Sequence, residues 1–176
     1  MKGSDKLEIG CGENPTPGYL NTDRYVTERN KIFVDLECDA RSMPFDNESF
    51  REVLAFGVVE HFGRKDVIQV FSEVIRVLVP GGLFKFDVPN FDWFIHAYLT
   101  GYDQITGEKL ASHRDEMWIM KSIFGGQDGP GQYHKWAWSE VSMKLFLDNQ
   151  KFKRYKLVGR QWRDAEPNHL IYECFK

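Results

Sequence analysis

The segment that sets the architecture is Leu7-Glu8-Ile9-Gly10-Cys11-Gly12, near the start of the sequence. A short apolar run followed by two glycines predicts a buried strand that turns sharply at its carboxyl end. The glycines let the backbone approach a ligand, because no Cβ stands in the way. Glu8 is placed to accept hydrogen bonds from a cation or from the loop's own amides. On its own, a Gly-x-Gly pair fits a plain turn equally well.

The first half of the sequence alternates short apolar runs with turn signals, which predicts an α/β fold. A helix is expected to begin at Asp66 and to end at Pro80, because apolar residues recur between them at helical spacing. A strand, a helix and a second strand in this order predict a right-handed parallel crossover. The fold class is therefore a doubly wound, Rossmann-like, mostly parallel sheet in three layers, α/β/α. Its first five strands are expected at residues 7–9, 19–22, 32–38, 52–56 and 83–88.

The second half is organised differently. Residues 91–137 are rich in aromatics and glycine without a lasting period, so they are interpreted as a partly helical insertion in one domain of residues 1–176. Ser139 predicts the N-cap of a further helix. The apolar residues of that helix are Val141, Leu145 and Phe146. Residues 155–158 and 170–175 predict an antiparallel C-terminal hairpin at one edge of the sheet.

The composition excludes several classes of protein. The net charge is -3 and no long basic stripe is present, so no nucleic-acid partner is expected. No apolar run reaches the roughly 20 residues that span a bilayer, so no membrane partner is expected. Three cysteines without a Cys-x-x-Cys pair, and no visible secretory signal, indicate the reducing cytoplasm. His96, His113 and His169 lack metal-ligand spacing, so no metal is predicted.

Acidic residues follow the second and third expected strands. Asp23 and Asp39 should lie at the carboxyl edge of the sheet, where ligands of parallel α/β folds bind. One carboxylate there can accept both hydroxyls of a ribose, and another can accept from an adenine amino group. Each acid fits a turn or helix cap equally well. Pro15 stands where a dinucleotide-binding loop carries its third glycine, which favours a ligand without phosphate.

Four motifs then occur in a familiar order: Leu7–Pro15, Asp39–Phe45, Val58–Phe62 and Leu78–Gly82. Together they resemble the class I S-adenosylmethionine-dependent methyltransferases, and in particular the small-molecule, type 11-like branch. The resemblance implies S-adenosylmethionine as cofactor and suggests that residues 91–137 form a lid. It also implies a cofactor site in which the methionine part meets Glu8, Gly10, Cys11 and Gly12, the ribose Asp23, the adenine Asp39 and Ala40, and the sulfonium Phe56 and Gly57.

Candidate catalytic residues lie outside that set. His134, in Gly-Gln-Tyr-His-Lys, is the first candidate base, with an ordinary loop histidine as the alternative. His61, next to Glu60, and Asp92 are further candidates, and structural roles compete for each of them. Candidate substrate contacts are Gln127, Trp93 and Trp136, for which turn capping and core packing are the alternatives.

The predicted function is methyl transfer to an oxygen or nitrogen of a small polar acceptor, such as a sugar or glycan precursor. The protein is expected to act as a monomer or homodimer. Two alternatives stay open at this point. One is a protein that binds the cofactor without catalysis, and the other is a nucleotide-dependent oxidoreductase on a similar fold.

Overall fold

The computed structural model describes residues 4–112, 114–159 and 168–176. Seven strands within these ranges form one sheet. They are β1 (Lys6–Ile9), β2 (Leu20–Asp23), β3 (Leu36–Glu37), β4 (Phe50–Ala55), β5 (Leu78–Pro89), β6 (Arg154–Gly159) and β7 (His169–Phe175). Their order across the sheet is β3-β2-β1-β4-β5-β7-β6.

The strand directions confirm the expected fold class. Strands β1 to β5 pair in parallel. Strand β7 runs antiparallel to both β5 and β6, which is the predicted C-terminal hairpin. The chain order reverses between β1 and β4, since β2 and β3 lie on one side of β1 and β4 on the other. Ligands of open parallel sheets bind at such a switch point, beyond the carboxyl ends of the strands.

Helix α1 (Arg64–Val77) packs one face of the sheet, and its buried side chains follow the helical period. Phe71 is central, because its ring lies 5.3 Å from those of Phe84 and Phe86 on β5. The helix begins at Arg64, two residues before the predicted cap, and Gly63 precedes it without a side-chain cap. It ends before Pro80, because the chain is already extended at Leu78.

Helix α4 (Glu140–Asp148) packs on the same face, with the rings of Phe71 and Phe146 4.9 Å apart. Ser139 caps it as predicted, in a reciprocal capping box with Ser142. The predicted apolar face is only partly right. Val141 and Leu145 are exposed, whereas the residues that enter the core are Met143 and Leu147, with Phe146 packed beside them. The contact with Phe71 decides which side of this helix is buried.

The predicted third strand, residues 32–38, is too long. Only Leu36–Glu37 pairs with β2, and Ile32 is 77% exposed. The Asn30 side chain accepts from the Thr27 amide and turns the chain before the apolar run can extend. Residues 10–19 also form turns rather than a helix, so no helix between β1 and β2 contributes to the expected third layer.

A second, smaller core follows β5. Helix α2 (Phe91–Thr100) is capped by Asn90, and helix α3 (Glu116–Phe124) is capped by Asp115. The two helices bury a common cluster made of Trp93, Phe94, Ala97 and Ile119. Among the described residues, no helix combines the length and apolarity that crossing a membrane requires.

Candidate active site

The glycine loop after β1 needs both of its glycines. Gly10 has φ +67°, and a Cβ built on it would lie 2.5 Å from a methyl group of Val58. Gly12 has φ +56°, and nothing lies within 4 Å of where its Cβ would be. Packing against Val58 therefore excludes a side chain at position 10, whereas a side chain at position 12 would point into open space at the edge of the sheet.

Glu8 holds the loop that follows. The residue is 2% exposed, and its carboxylate accepts from the Thr16 amide at 2.6 Å and from the Thr16 hydroxyl at 2.8 Å. Of the two partners considered for Glu8, the loop's own amide is therefore the one that the structure shows. The neighbouring Cys11 is also buried, and burial raises the pKa of its thiol to about 12. This cysteine is therefore a packing residue with little thiolate character at neutral pH.

The structure places the two predicted acids differently. Asp23 turns toward the glycine loop and accepts from the Gly12 amide at 3.0 Å and from the Tyr25 amide at 2.8 Å. Asp39 is paired with Arg41 at 2.7 Å, and Arg24 lies 3.4 Å away. The hydrogen bond from Arg41 holds the pKa of the Asp39 carboxyl below its usual value.

The next two positions of the predicted cofactor site are also at the carboxyl edge. Ala40 is buried in the main core, beside Asp39. Gly57, directly after Phe56 at the end of β4, adopts φ +66°. Its amide donates to Asp87 on β5 at 2.7 Å.

Asp87 is a functional candidate that sequence reasoning missed. The residue is fully buried, and its second oxygen accepts from Nδ1 of His169 at 2.9 Å. The Gly57 turn is thus held in place by two strands, because His169 begins β7. An acid near the end of a mostly apolar strand was the available signal, since buried carboxylates require partners.

A compact cluster of three titratable side chains lies next to this turn. Glu60 and His61 belong to a short 3-10 helix, Val59–His61, and His134 reaches them from the loop after α3. The amide of Lys135 donates to the Glu60 carbonyl at 2.8 Å, which fastens the two segments together. The rings of His61 and His134 meet edge to face, with centroids 4.8 Å apart. We call Glu60, His61 and His134 the histidine corner.

Burial dominates the electrostatics of the histidine corner. It raises the pKa of Glu60 well above its usual value, and the nearby Asp87 raises it further. It lowers the pKa of His134 to about 4 and lowers that of His61 as well. Both imidazoles are therefore neutral at physiological pH, and each can offer a lone pair. The Tyr133 carbonyl lies 3.0 Å from Nδ1 of His61 and orients its ring.

The structure brings the candidate bases His61 and His134 together. Asp92, Trp93 and Gln127, three of the other candidates, do not join them. Asp92 is exposed in the first turn of α2. Trp93 is fully buried in the second core and donates to Asp103 at 3.2 Å, which is the packing alternative. Gln127 is exposed with φ +57° and bonds the Phe124 carbonyl, which is the turn-capping alternative.

Trp136 remains next to the histidine corner. It lines a narrow crevice together with His134, Phe91 and Phe94. A larger cavity of about 490 Å³ lies by the loop after the glycines, between Asn14–Pro17 and Phe56, Lys85 and Ile171. Gly131 of the expected lid packs on the Tyr25 ring, since a Cβ there would come within 2.6 Å of it. The segment 91–137 thus contacts the residues beside Asp23.

The family comparison matches residues 7–86 to a methyltransferase domain. The matched stretch contains the glycine loop, Asp23, Asp39 and the Gly57 turn. Residues 7–86, somewhat under half of the chain, are therefore similar to a methyltransferase domain, which supports the predicted S-adenosylmethionine-dependent class. S-adenosylmethionine is the cofactor of this class.

Related proteins share the methyltransferase domain only in part. The human protein named "Probable tRNA methyltransferase 9B" is 34% identical over 94 residues, covering 46% of this chain. A Xenopus tropicalis tRNA (carboxymethyluridine(34)-5-O)-methyltransferase is 32% identical over 93 residues. The chain spans 20% and 15% of the lengths of these two relatives. The names of these relatives include tRNA, which runs against the expectation of no nucleic-acid partner.

Solved structures confirm the fold of the methyltransferase domain. A Thermotoga maritima S-adenosylmethionine-dependent methyltransferase superposes with a TM-score of 0.64 at 16% identity, covering 97% of this chain and 81% of that one. A Methanosarcina mazei counterpart gives 0.59 at 15% identity, covering 97% and 91%. At these identities the likeness concerns the fold.

The sequence prediction is that the chain binds no metal, whereas the histidine corner is a set of possible ligands that only the tertiary structure assembles. The prediction was drawn from the spacing of His96, His113 and His169, and His113 lies outside the described residues.

Proposed function

We propose that this protein transfers the methyl group of S-adenosylmethionine to an oxygen or nitrogen of a small polar acceptor, such as a sugar or glycan precursor. The observation that carries the proposal is the position of the histidine corner. His61 follows the Gly57 turn within one short 3-10 helix, and its ring meets that of His134 edge to face. Neutral imidazoles therefore lie beside the turn expected at the sulfonium.

Each residue expected to contact the cofactor at the carboxyl edge of the sheet has an assigned role in this proposal. Glu8 fixes the loop around Gly10, Cys11 and Gly12, which wraps the methionine part of the cofactor. Asp23 keeps lone pairs for the ribose hydroxyls beyond those used by backbone amides. Asp39 with Ala40 borders the adenine, and Phe56 with Gly57 borders the sulfonium.

The chemistry asks little of the protein beyond positioning. The cofactor supplies a methyl carbon activated by positive sulfur, and the acceptor's lone pair attacks that carbon as the carbon–sulfur bond breaks. Residues of the corner orient the acceptor, and His134 takes the proton that an attacking hydroxyl or amine loses. Trp136 shields one side of the crevice from water.

The compartment and assembly are part of the same proposal. The three cysteines are free and buried, which suits a reducing cytoplasm. We expect the protein to act there as a monomer or homodimer, without a membrane partner.

A second candidate acceptor is tRNA. The observation that favours it is the similarity to relatives whose names include tRNA methyltransferase. The net charge of -3 favours the small acceptor, because phosphate backbones are bound by basic surfaces.

A transfer assay separates the candidates. The protein is incubated with methyl-labelled cofactor and either a panel of sugars and amines or total tRNA with a nuclease-treated control. Label on a small polar compound supports the proposal, and label only on nuclease-sensitive material assigns the tRNA alternative. His134→Ala is expected to lower kcat by about 10²- to 10⁴-fold with cofactor affinity unchanged, whereas His96→Ala serves as the matched control. Full activity of His134→Ala would remove this residue as the base.

A further inference from the structure

The histidine corner has the composition of a metal site as well as that of an acid–base site. One carboxylate oxygen and two imidazole nitrogens, each from a different residue, lie within 4.8 Å of one another. They come from two segments that are distant in sequence, and the hydrogen bonds from the amides of Lys135 and Trp136 to the Glu60 carbonyl hold those segments together. The three donors therefore converge because of packing between segments.

Glu60 provides the first argument for a cation. The residue is 2% exposed, and its Oε2 is a buried atom without a hydrogen-bond partner among the described residues. An unpartnered carboxylate oxygen in a protein interior is costly unless a proton or a cation neutralises it. The other buried acid nearby, Asp87, is already engaged by Gly57 and His169 and offers Glu60 no donor.

The two imidazoles provide the second argument. Nδ1 of His61 lies 3.0 Å from the Tyr133 carbonyl, so the proton sits on Nδ1 and the lone pair on Nε2. A ring nitrogen that donates to a backbone carbonyl while the other stays free is the usual arrangement of a metal-bound histidine. His134 meets His61 edge to face, which places a second imidazole beside the first.

We propose that Glu60, His61 and His134 bind one divalent transition-metal ion, such as Zn²⁺ or Mn²⁺. Two imidazoles and one carboxylate suit such ions, and three protein ligands leave a coordination position open. Tetrahedral ligands at about 2.1 Å from an ion are about 3.4 Å apart, so ligand atoms that lie within 4.8 Å of one another need to close in by at most about 1.4 Å. The two histidines are only partly buried, which leaves them room for that movement.

The open position faces the proposed acceptor. His134 and Trp136 line the same crevice, so an acceptor hydroxyl there can complete the coordination. A bound ion would lower the pKa of a coordinated hydroxyl, so its proton would pass to solvent water, and His134 would serve as a ligand in place of the proton acceptor. This catalytic role rests on the proposed function, whereas metal binding itself does not.

Binding is tested on the full chain after dialysis against a chelator. Co²⁺ is titrated in while its visible absorption is followed, and Zn²⁺ is then used as a competitor. We expect one equivalent of Co²⁺ to bind and Zn²⁺ to displace it. His134→Ala and Glu60→Gln should each weaken binding by about tenfold or more, whereas His96→Ala should leave it unchanged.

Two results would overturn the inference. One is the absence of a Co²⁺ spectrum at millimolar metal in protein that still binds S-adenosylmethionine. The other is binding that both His134→Ala and Glu60→Gln leave unchanged. If Glu60→Gln fails to fold, His61→Ala replaces it, because that side chain is less buried. Methyl transfer that persists in chelator and depends on His134 would reject the catalytic role of the ion while leaving the proposed function intact.

Discussion

Substituting Gly10 by alanine tests the packing argument for the glycine loop most directly. Alanine at φ +67° costs about 1 to 2 kcal/mol, because its Cβ crowds the following carbonyl. The same Cβ would lie 2.5 Å from a methyl group of Val58, and overpacking of this kind costs about 1 to 3 kcal/mol. Val58 is 8% exposed and β-branched, so rotation offers little relief. The expected loss in the free energy of unfolding is therefore about 2 to 5 kcal/mol.

Gly12→Ala is the matched control. Its φ is also positive, but nothing lies within 4 Å of its Cβ position, so only the backbone cost of about 1 to 2 kcal/mol is expected. Urea denaturation measures both variants, and calorimetric titration measures their affinity for S-adenosylmethionine. Gly12→Ala should lose affinity out of proportion to stability, because its new methyl group points into open space at the proposed site.

A double variant completes this test. In Gly10→Ala/Val58→Ala the clash is removed. The double variant should therefore lose about 1 to 3 kcal/mol less stability than the sum of the losses in the two single variants. Equal losses of stability in Gly10→Ala and Gly12→Ala, together with zero coupling to Val58, would refute the reasoning.

Two further predictions concern the loop after the glycines and the core helix α1. Thr16→Val removes the 2.8 Å hydrogen bond to Glu8 and should weaken cofactor binding about five- to tenfold in calorimetry, with Thr16→Ser close to wild type. An unchanged affinity in Thr16→Val would show that this loop does not contribute to cofactor binding. Arg76→Ala should lower the free energy of unfolding by about 2 kcal/mol, because Arg76 bonds Glu73 and the Phe45 and Met43 carbonyls. Arg76 also lowers the pKa of Glu73 below its ordinary value of 4.5, so this pair stabilises the fold above pH 4.5 and the contribution is lost as the pH falls through the folded-state pKa. The stability difference between Arg76→Ala and wild type should therefore shrink in acid, and a difference that grows there would contradict the assignment.

The histidine corner shows why part of the site escaped sequence reasoning. His61 and His134 were each candidates by residue type and local motif, but their contact depends on how the loop after α3 docks against the 3-10 helix. Asp87 and His169 were missed for the same reason, since they meet across paired strands. Spacing along a chain carries no information about such contacts unless both residues belong to one regular element.

The sequence by itself determined the elements whose signals are local. Periodicity, turn chemistry and capping within a few residues predict three of these elements. They are the strand and glycine turn at residues 7–12, the helix that follows the Val58–Phe62 motif and the helix capped by Ser139. These signals were enough for the parallel sheet, its antiparallel hairpin and the methyltransferase class.

Tertiary structure alone decided which residues became partners. It paired Asp87 with His169, closed Gly10 against Val58 and buried one side of α4 instead of another. It also joined Glu60 to His61 and His134. The physical reason is that short-range preferences act through the backbone of neighbouring residues, whereas burial, ion pairing and ligand geometry arise only when distant segments exclude water from the same space.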